Sequence, residues 1–165
     1  MTLPETAEIR RATEADIPAL VGLVHDLAEY EKAGDQCALT VEQLRTALFG
    51  PTPALFAHVV EDESEIVGCA IWFLNFSTWN GVHGIFLEDL YVSPWARGKG
   101  YGRGLLAALA QEAVDKGYSR VDWSVLTWNT PSITFYRSIG AQSQDAWVGY
   151  RLSGEALAAL AAQAR

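Results

Sequence analysis

Cysteine is scarce in this chain of 165 residues: Cys37 and Cys69 are the whole supply. Two thiols give no disulfide framework, and their spacing fits no metal motif. Histidine is almost as thin. His25, His58 and His83 are scattered, without a His-x-x-x-His pair, and read as surface or packing residues rather than ligands. Positive charge is in deficit, with 12 Lys and Arg against 20 Asp and Glu and a formal net charge of −8. That balance opposes nucleic-acid binding, whose signature is a basic face, and suits a solvated surface or cationic small ligands. No apolar run is long enough to span a membrane. The opening Met-Thr-Leu-Pro-Glu-Thr has neither the basic region nor the apolar stretch of a secretion signal. These absences point to a cytoplasmic, reducing setting, with no metal, membrane or nucleic-acid partner.

Apolar residues are plentiful, 50% of the chain, enough for one domain across 1–165 with a sizeable core. Residues 9–12 read as an opening strand. Thr13, with Asp16 three residues on, caps a helix whose apolar face is Ile17, Leu20, Val21, Val24, Leu27 and Ala28, ending near 32–34. Thr40-x-x-Gln43 repeats the signal for a shorter helix, 41–49, closed by Gly50-Pro51. Strands follow at 55–61, 65–76 and 85–92. Asp62-Glu63-Ser64 makes the first turn, and connections this tight predict antiparallel pairing. A helix then runs to about 116, with Gly117 as its stop. After it come a strand at 121–127, a short helix opened by Thr130-Pro131 and ended by Gly140, a last strand at 147–152, and an Ala/Leu-rich helix capped by Ser153. This order predicts an α/β domain, a mixed, largely antiparallel central sheet flanked by helices, with one crossover.

The centre of the chain carries the strongest local signal. After the strand ending in Tyr91-Val92-Ser93-Pro94, glycines at 98, 100, 102 and 104 alternate with Arg97, Lys99 and Arg103, and a helix begins. Glycines at a helix start let backbone N–H groups approach an anion, and the helix dipole and the three cations favour one. A P-loop is excluded because Lys99 is followed by Gly100 rather than Ser or Thr. The dinucleotide fingerprint fits poorly: Gly102-x-Gly104-x-x-Ala107 is loose, and Asp122 falls near the start of its strand rather than the end.

A third pattern, Arg-x-x-Gly-x-Gly, is matched in full by Arg97-Gly98-Lys99-Gly100-Tyr101-Gly102. Here the sequence resembles the GCN5-related N-acetyltransferase (GNAT) superfamily, whose loop of this form takes the pyrophosphate of acetyl-CoA, and whose element order is the one read above. Four more stretches resemble its diamine (spermidine/spermine) and thialysine N-acetyltransferase branch. They are Ala28-Glu29-Tyr30-Glu31, Leu87-Glu88-Asp89-Leu90-Tyr91-Val92, Trp128-Asn129-x-Pro131-Ser132-Ile133-x-Phe135-Tyr136 and Gly149-Tyr150-Arg151-Leu152. With the glycine turn they span roughly 9–152.

The resemblance implies acetyl transfer from acetyl-CoA to a primary amine of a small cationic substrate. Gly98, Lys99, Gly100, Gly102 and Arg103 would face the pyrophosphate, and Arg97 is either a phosphate contact or a cap. Backbone groups of Leu90, Tyr91 and Val92 would hold the pantetheine arm, with Asn129 and Ser132 on the cofactor and an amide near Leu90 polarising the thioester carbonyl. An alkyl ammonium, pKa about 10.4, must lose a proton before it attacks. Glu88 matches the general base and Asp89 a substrate-side or structural acid. Adjacent on a regular strand, the two leave opposite faces and are not expected to share one proton. Tyr136 matches the general-acid tyrosine. Tyr30, Glu31, Trp79 and Tyr150 fall at amine-binding positions. The family also implies a homodimer. Two departures bear on substrate choice: Tyr150-Arg151 stands where polyamine-acting members have Trp-Arg, with Trp147 a possible replacement, and the connection between the second and third strands is short. Acetylation of another small amine or a protein amine, and a non-catalytic acyl-CoA-binding domain, stay open as alternatives.

Overall fold

The computed structural model describes residues 2–164. They form two compact units, one running up to Leu126 and one from Thr127 onward.

The first unit holds a five-stranded sheet in chain order: β1 (Ala7–Arg11), β2 (Phe56–Asp62), β3 (Glu65–Ser77), β4 (Val82–Val92) and β5 (Val121–Asp122). Neighbours from β1 to β4 pair antiparallel, and β5 joins β4 in parallel. Helices α1 (Ile17–Tyr30) and α2 (Val41–Phe49) precede β2, while α3 (Tyr101–Lys116) makes the crossover from β4 to β5. The capping box read at Thr40 forms, with the Gln43 amide donating to the Thr40 hydroxyl and the Thr40 amide to the Gln43 side chain.

The apolar stripe of α1 (Ile17, Leu20, Leu23) and Leu44 and Leu48 of α2 bury one face of the sheet, formed by Ala57, Val59, Cys69, Ile71 and Tyr91. The alternate residues face α3. Ile9 lies so close to that helix that a side chain at Gly104 would run into its Cδ1 atom. The fourth glycine of the turn thus serves close packing of α3 on β1. Arg11 reaches Glu112 of α3 at 3.6 Å, with its guanidinium 4.9 Å from the Trp72 ring centre.

On this face His58 is buried, and its Nδ1 accepts a hydrogen bond from Trp72 Nε1 at 3.1 Å. Burial, then the Arg11 charge, lowers its pKa from 6.5 to about 4. The unfolded chain therefore binds a proton at higher pH than the native state, and His58 costs stability progressively as pH falls from 6.5 to 4, by up to about 3 kcal/mol. Denaturant unfolding across that window should show His58→Gln gaining on the native protein as pH drops; parallel curves would remove the assignment.

Two sequence expectations change. The strand expected at 121–127 is only Val121–Asp122, paired with Ile85 and Phe86. The strand expected at 147–152 does not form. Within the second unit, helices α4 (Thr130–Ser138) and α5 (Gly154–Ala161) are the regular elements among the described residues, and 148–153 has no ladder. β-propensity in Trp147, Val148 and Tyr150 is not enough without an edge to pair with, and all three are strongly exposed. Ser153 precedes α5 as expected, although its side chain makes no capping bond. Among the described residues no helix is long and apolar enough to cross a membrane.

Candidate active site

The turn between β4 and α3 is built as its glycines suggested. Gly98 (φ 83°) and Gly100 (φ 84°) are left-handed, a conformation that L side chains resist, and Gly100 is the N-cap of α3. It offers no capping side chain, and the first turn of the helix carries no acid. Side chains at Gly98 and Gly102 would meet nothing within 4 Å, so the space beside the backbone is open. Left-handed glycines at the start of a helix, open space beside them and no acid in the helix's first turn make a donor set that fits a diphosphate.

The three cations of the turn differ in their engagements. Arg97 Nε donates to the Val92 carbonyl at 3.0 Å, and its guanidinium lies 5.2 Å and 5.4 Å from the ring centres of Tyr30 and Tyr91. Lys99 Nζ lies 3.2 Å from Asp62. Arg103 is exposed and has no ion pair among the described residues.

Next to the turn, β4 is laddered on both sides only as far as Phe86. From Leu87 to Val92 it pairs with β3 alone, because β5 ends at Asp122. Within the first unit the backbone of Leu90, Tyr91 and Val92 therefore has no second strand beside it, although Arg97 takes the Val92 carbonyl, and an extended amide chain can add along this edge. The shortness of β5, missed in the sequence, is what exposes it.

The ladder to β3 is also irregular. Ile71 pairs with Asp89 but Trp72 pairs with Leu87, so Glu88 is an extra residue, a β-bulge. Cross-strand partners share a face, so Asp89 joins Ile71 on the α1 side while Leu87 goes with Trp72 to the other. The simple alternation expected of adjacent residues breaks at Glu88. Burial first, then the charges of Glu88 and of Glu31 at the C-terminus of α1, push the Asp89 carboxyl up to about 6. Burial raises Glu31 as well. Glu31 from the end of α1 and Glu88 on the bulge thus both act on Asp89, and Tyr30, next to Glu31, packs against Arg97.

Trp79 does not join this group within the chain. It stands 91% exposed at the β3–β4 tip, seven residues of strand and a turn away from Asp89, roughly 20 Å at the usual rise per residue.

Asn129, Ser132, Tyr136 and Tyr150 belong to the second unit. Asn129 is buried and caps α4, its side-chain oxygen accepting from the Ser132 amide at 3.4 Å, with Pro131 in the first turn. Tyr136 is half-buried on α4 with its ring centre 5.5 Å from that of Phe135. Tyr150 is 96% exposed. The residue that sequence reading passed over is Asp62. Assigned to a turn, it is the buried last residue of β2 and accepts hydrogen bonds from Thr6, Lys99 and Tyr101.

A half-open strand thus feeds a glycine turn and a helix, with carboxylates beside it. Residues 22–141 match the Acetyltransferase (GNAT) family, and the chain belongs to it as an N-acetyltransferase. A thialysine N-epsilon-acetyltransferase of Bos taurus is 38% identical over 164 residues, 93% of this chain and 96% of that protein. An L-ornithine N5-acetyltransferase of Arabidopsis thaliana is 28% identical, with 96% and 93% covered. Among solved structures, an integron cassette protein from the mobile metagenome of V. cholerae matches with a TM-score of 0.81 at 29% identity, covering 96% of this chain and 99% of its own.

Proposed function

We propose that the protein moves the acetyl group of acetyl-CoA to a primary amine of a small cationic substrate: a diamine, a polyamine or a thialysine-like amino acid. The observation that carries this reading is the meeting of Glu31, Glu88 and Asp89 beside the open edge of β4, with Asp89 titrating near 6. Relatives named for thialysine and ornithine acetylation support the substrate class.

Acetyl-CoA, when bound, supplies an activated acyl thioester. Amides of Gly98, Gly100 and Gly102, with Arg103, would hold its diphosphate, and the Leu90–Val92 edge its pantetheine amides, with Asn129 and Ser132 as further contacts. The carboxylates draw in the ammonium. Asp89 then takes the proton, directly or through one water, because a carboxylate with a pKa near 6 is a stronger base than an ordinary one and is still ionised at pH 7. Sequence reading put this role on Glu88; exposed on the bulge, Glu88 suits attraction and orientation of the cation instead. Tyr136 keeps a proton on its hydroxyl for the leaving sulfur. Tyr30 and Glu31 line the amine side, and Trp79 and Tyr150 are contacts toward the rest of a longer substrate. A single domain across 1–165, a homodimer and a reducing cytoplasm complete the proposal. The exposed Trp147, Val148 and Tyr150 are apolar surface that a second copy would cover, and the thiols Cys37 and Cys69 are free.

The test is thiol release from acetyl-CoA with putrescine, spermidine, thialysine, ornithine, lysine and uncharged amines. Cationic acceptors should turn over, with KM rising with salt as their attraction is screened. Coenzyme A binding without release from any small amine would leave a protein amine or a binding domain instead.

A further inference from the structure

We propose that Asp62 is a positioning residue for cofactor binding: it grips the glycine turn through Lys99 and Tyr101 and sets its anion-binding shape before the cofactor arrives. The proposal rests on the acetyl-CoA reading above. The Asp62 carboxylate is 7% exposed, and three donors converge on it: Tyr101 OH at 2.5 Å, Thr6 Oγ1 at 2.6 Å and Lys99 Nζ at 3.2 Å. Two of the three flank Gly100, the left-handed residue that starts α3. Tyr101 is itself buried at 1% exposure, so its charge-assisted bond is the firm hold, while Lys99 is half in solvent. The third donor belongs to the segment leading into β1. One side chain therefore joins the chain start, the end of β2 and the turn. A second tie secures the other end of the turn: Ser93 N–H donates at 2.9 Å to the carbonyl of Val67, the residue skipped where the β2–β3 register shifts.

This arrangement also reassigns Lys99. A bare carboxylate beside a diphosphate site would repel the ligand. Lys99 neutralises it, and so acts as the counter-ion of Asp62 rather than as a contact to phosphate. Attraction for the anion is left to the backbone amides and Arg103.

The experiment is calorimetric titration of the full-length protein with coenzyme A, without amine, for the native chain, Asp62→Asn, Lys99→Met, their double variant and Tyr101→Phe. If loss of the grip leaves about a tenth of the molecules with the turn in place, Asp62→Asn should bind about tenfold more weakly. Its KM for acetyl-CoA should rise in step while kcat at saturation stays within about threefold, a split that loss of global stability alone does not produce. Lys99→Met should cost no more once Asp62 is gone, since the pair acts as a unit. Unchanged affinity in Asp62→Asn, even with a lower melting temperature, overturns the proposal. So does a Lys99→Met penalty that persists in full on the Asp62→Asn background, which would make the lysine a phosphate ligand. If Asp62→Asn does not fold, Tyr101→Phe carries the test: it should weaken coenzyme A binding severalfold, and native affinity there is equally fatal. A native protein that ignores coenzyme A sinks the acetyl-CoA reading itself; native binding with an unaffected Asp62→Asn sinks this proposal alone.

Discussion

Asp89→Asn is expected to unfold at a higher temperature than the native protein at pH 7 and to acetylate amines on the order of a hundredfold more slowly. Both effects have one origin. Asp89 ionises at about 6 in the folded chain instead of 3.8, because it is partly buried and lies near the charges of Glu88 and Glu31. The folded state therefore binds a proton more tightly than the unfolded chain. The stabilisation this gives is full below pH 3.8 and is lost as pH rises through 6, so keeping Asp89 charged at pH 7 costs up to about 3 kcal/mol. Asparagine removes the charge and that cost, and with them the proposed proton acceptor. Native kcat/KM should fall below about pH 6 as Asp89 protonates. That acid limb should vanish in Asp89→Asn and survive in Glu88→Gln; the opposite pattern would return the base to Glu88. Asp89 and His58 pull stability in opposite directions over nearly the same pH window, so Asp89→Asn should also unmask the acid sensitivity of His58.

Tyr136→Phe should lower kcat by about a hundred- to a thousandfold and leave the affinity for coenzyme A within about twofold. The substitution removes one hydroxyl and keeps the ring that packs against Phe135 and the helix that Asn129 caps. On the proposed mechanism the substitution deletes the proton that Tyr136 would offer to the leaving sulfur. An alkyl thiolate leaves more readily when a proton reaches its sulfur, which is the step the hydroxyl would assist. An equal fall in kcat and in coenzyme A affinity would mean instead that the hydroxyl serves packing or cofactor contact.

Local rules found the elements that local rules govern. The capping box at Thr40, the left-handed stop at Gly117 and the left-handed glycines of the turn each depend on residues within a few positions, and each formed as read. Features set by distant partners were not legible. The bulge at Glu88 exists because Ile71 and Trp72 take Asp89 and Leu87 as partners, and no pattern within β4 announces it. Trp123 and Val125 alternate like a strand, yet ladder bonds to β4 stop at Asp122. Asp62 looked like an ordinary turn acid because Thr6 and Tyr101 lie 56 and 39 residues away in sequence. The acids of the site were nameable from the motif, but the influence of Glu31 on Asp89 needed the end of α1 brought near β4.

The half-laddered stretch of β4 has a consequence for solubility. A row of unpaired peptide groups on an apolar strand is a template on which another polypeptide can add itself, the common route to edge-to-edge aggregation. Here the row is short, bent by an inserted residue and set beside clustered negative charge, three devices that discourage a foreign strand. A small flexible amide chain can still conform to it. The same irregularity would leave the edge usable by the proposed cofactor while guarding it against other proteins.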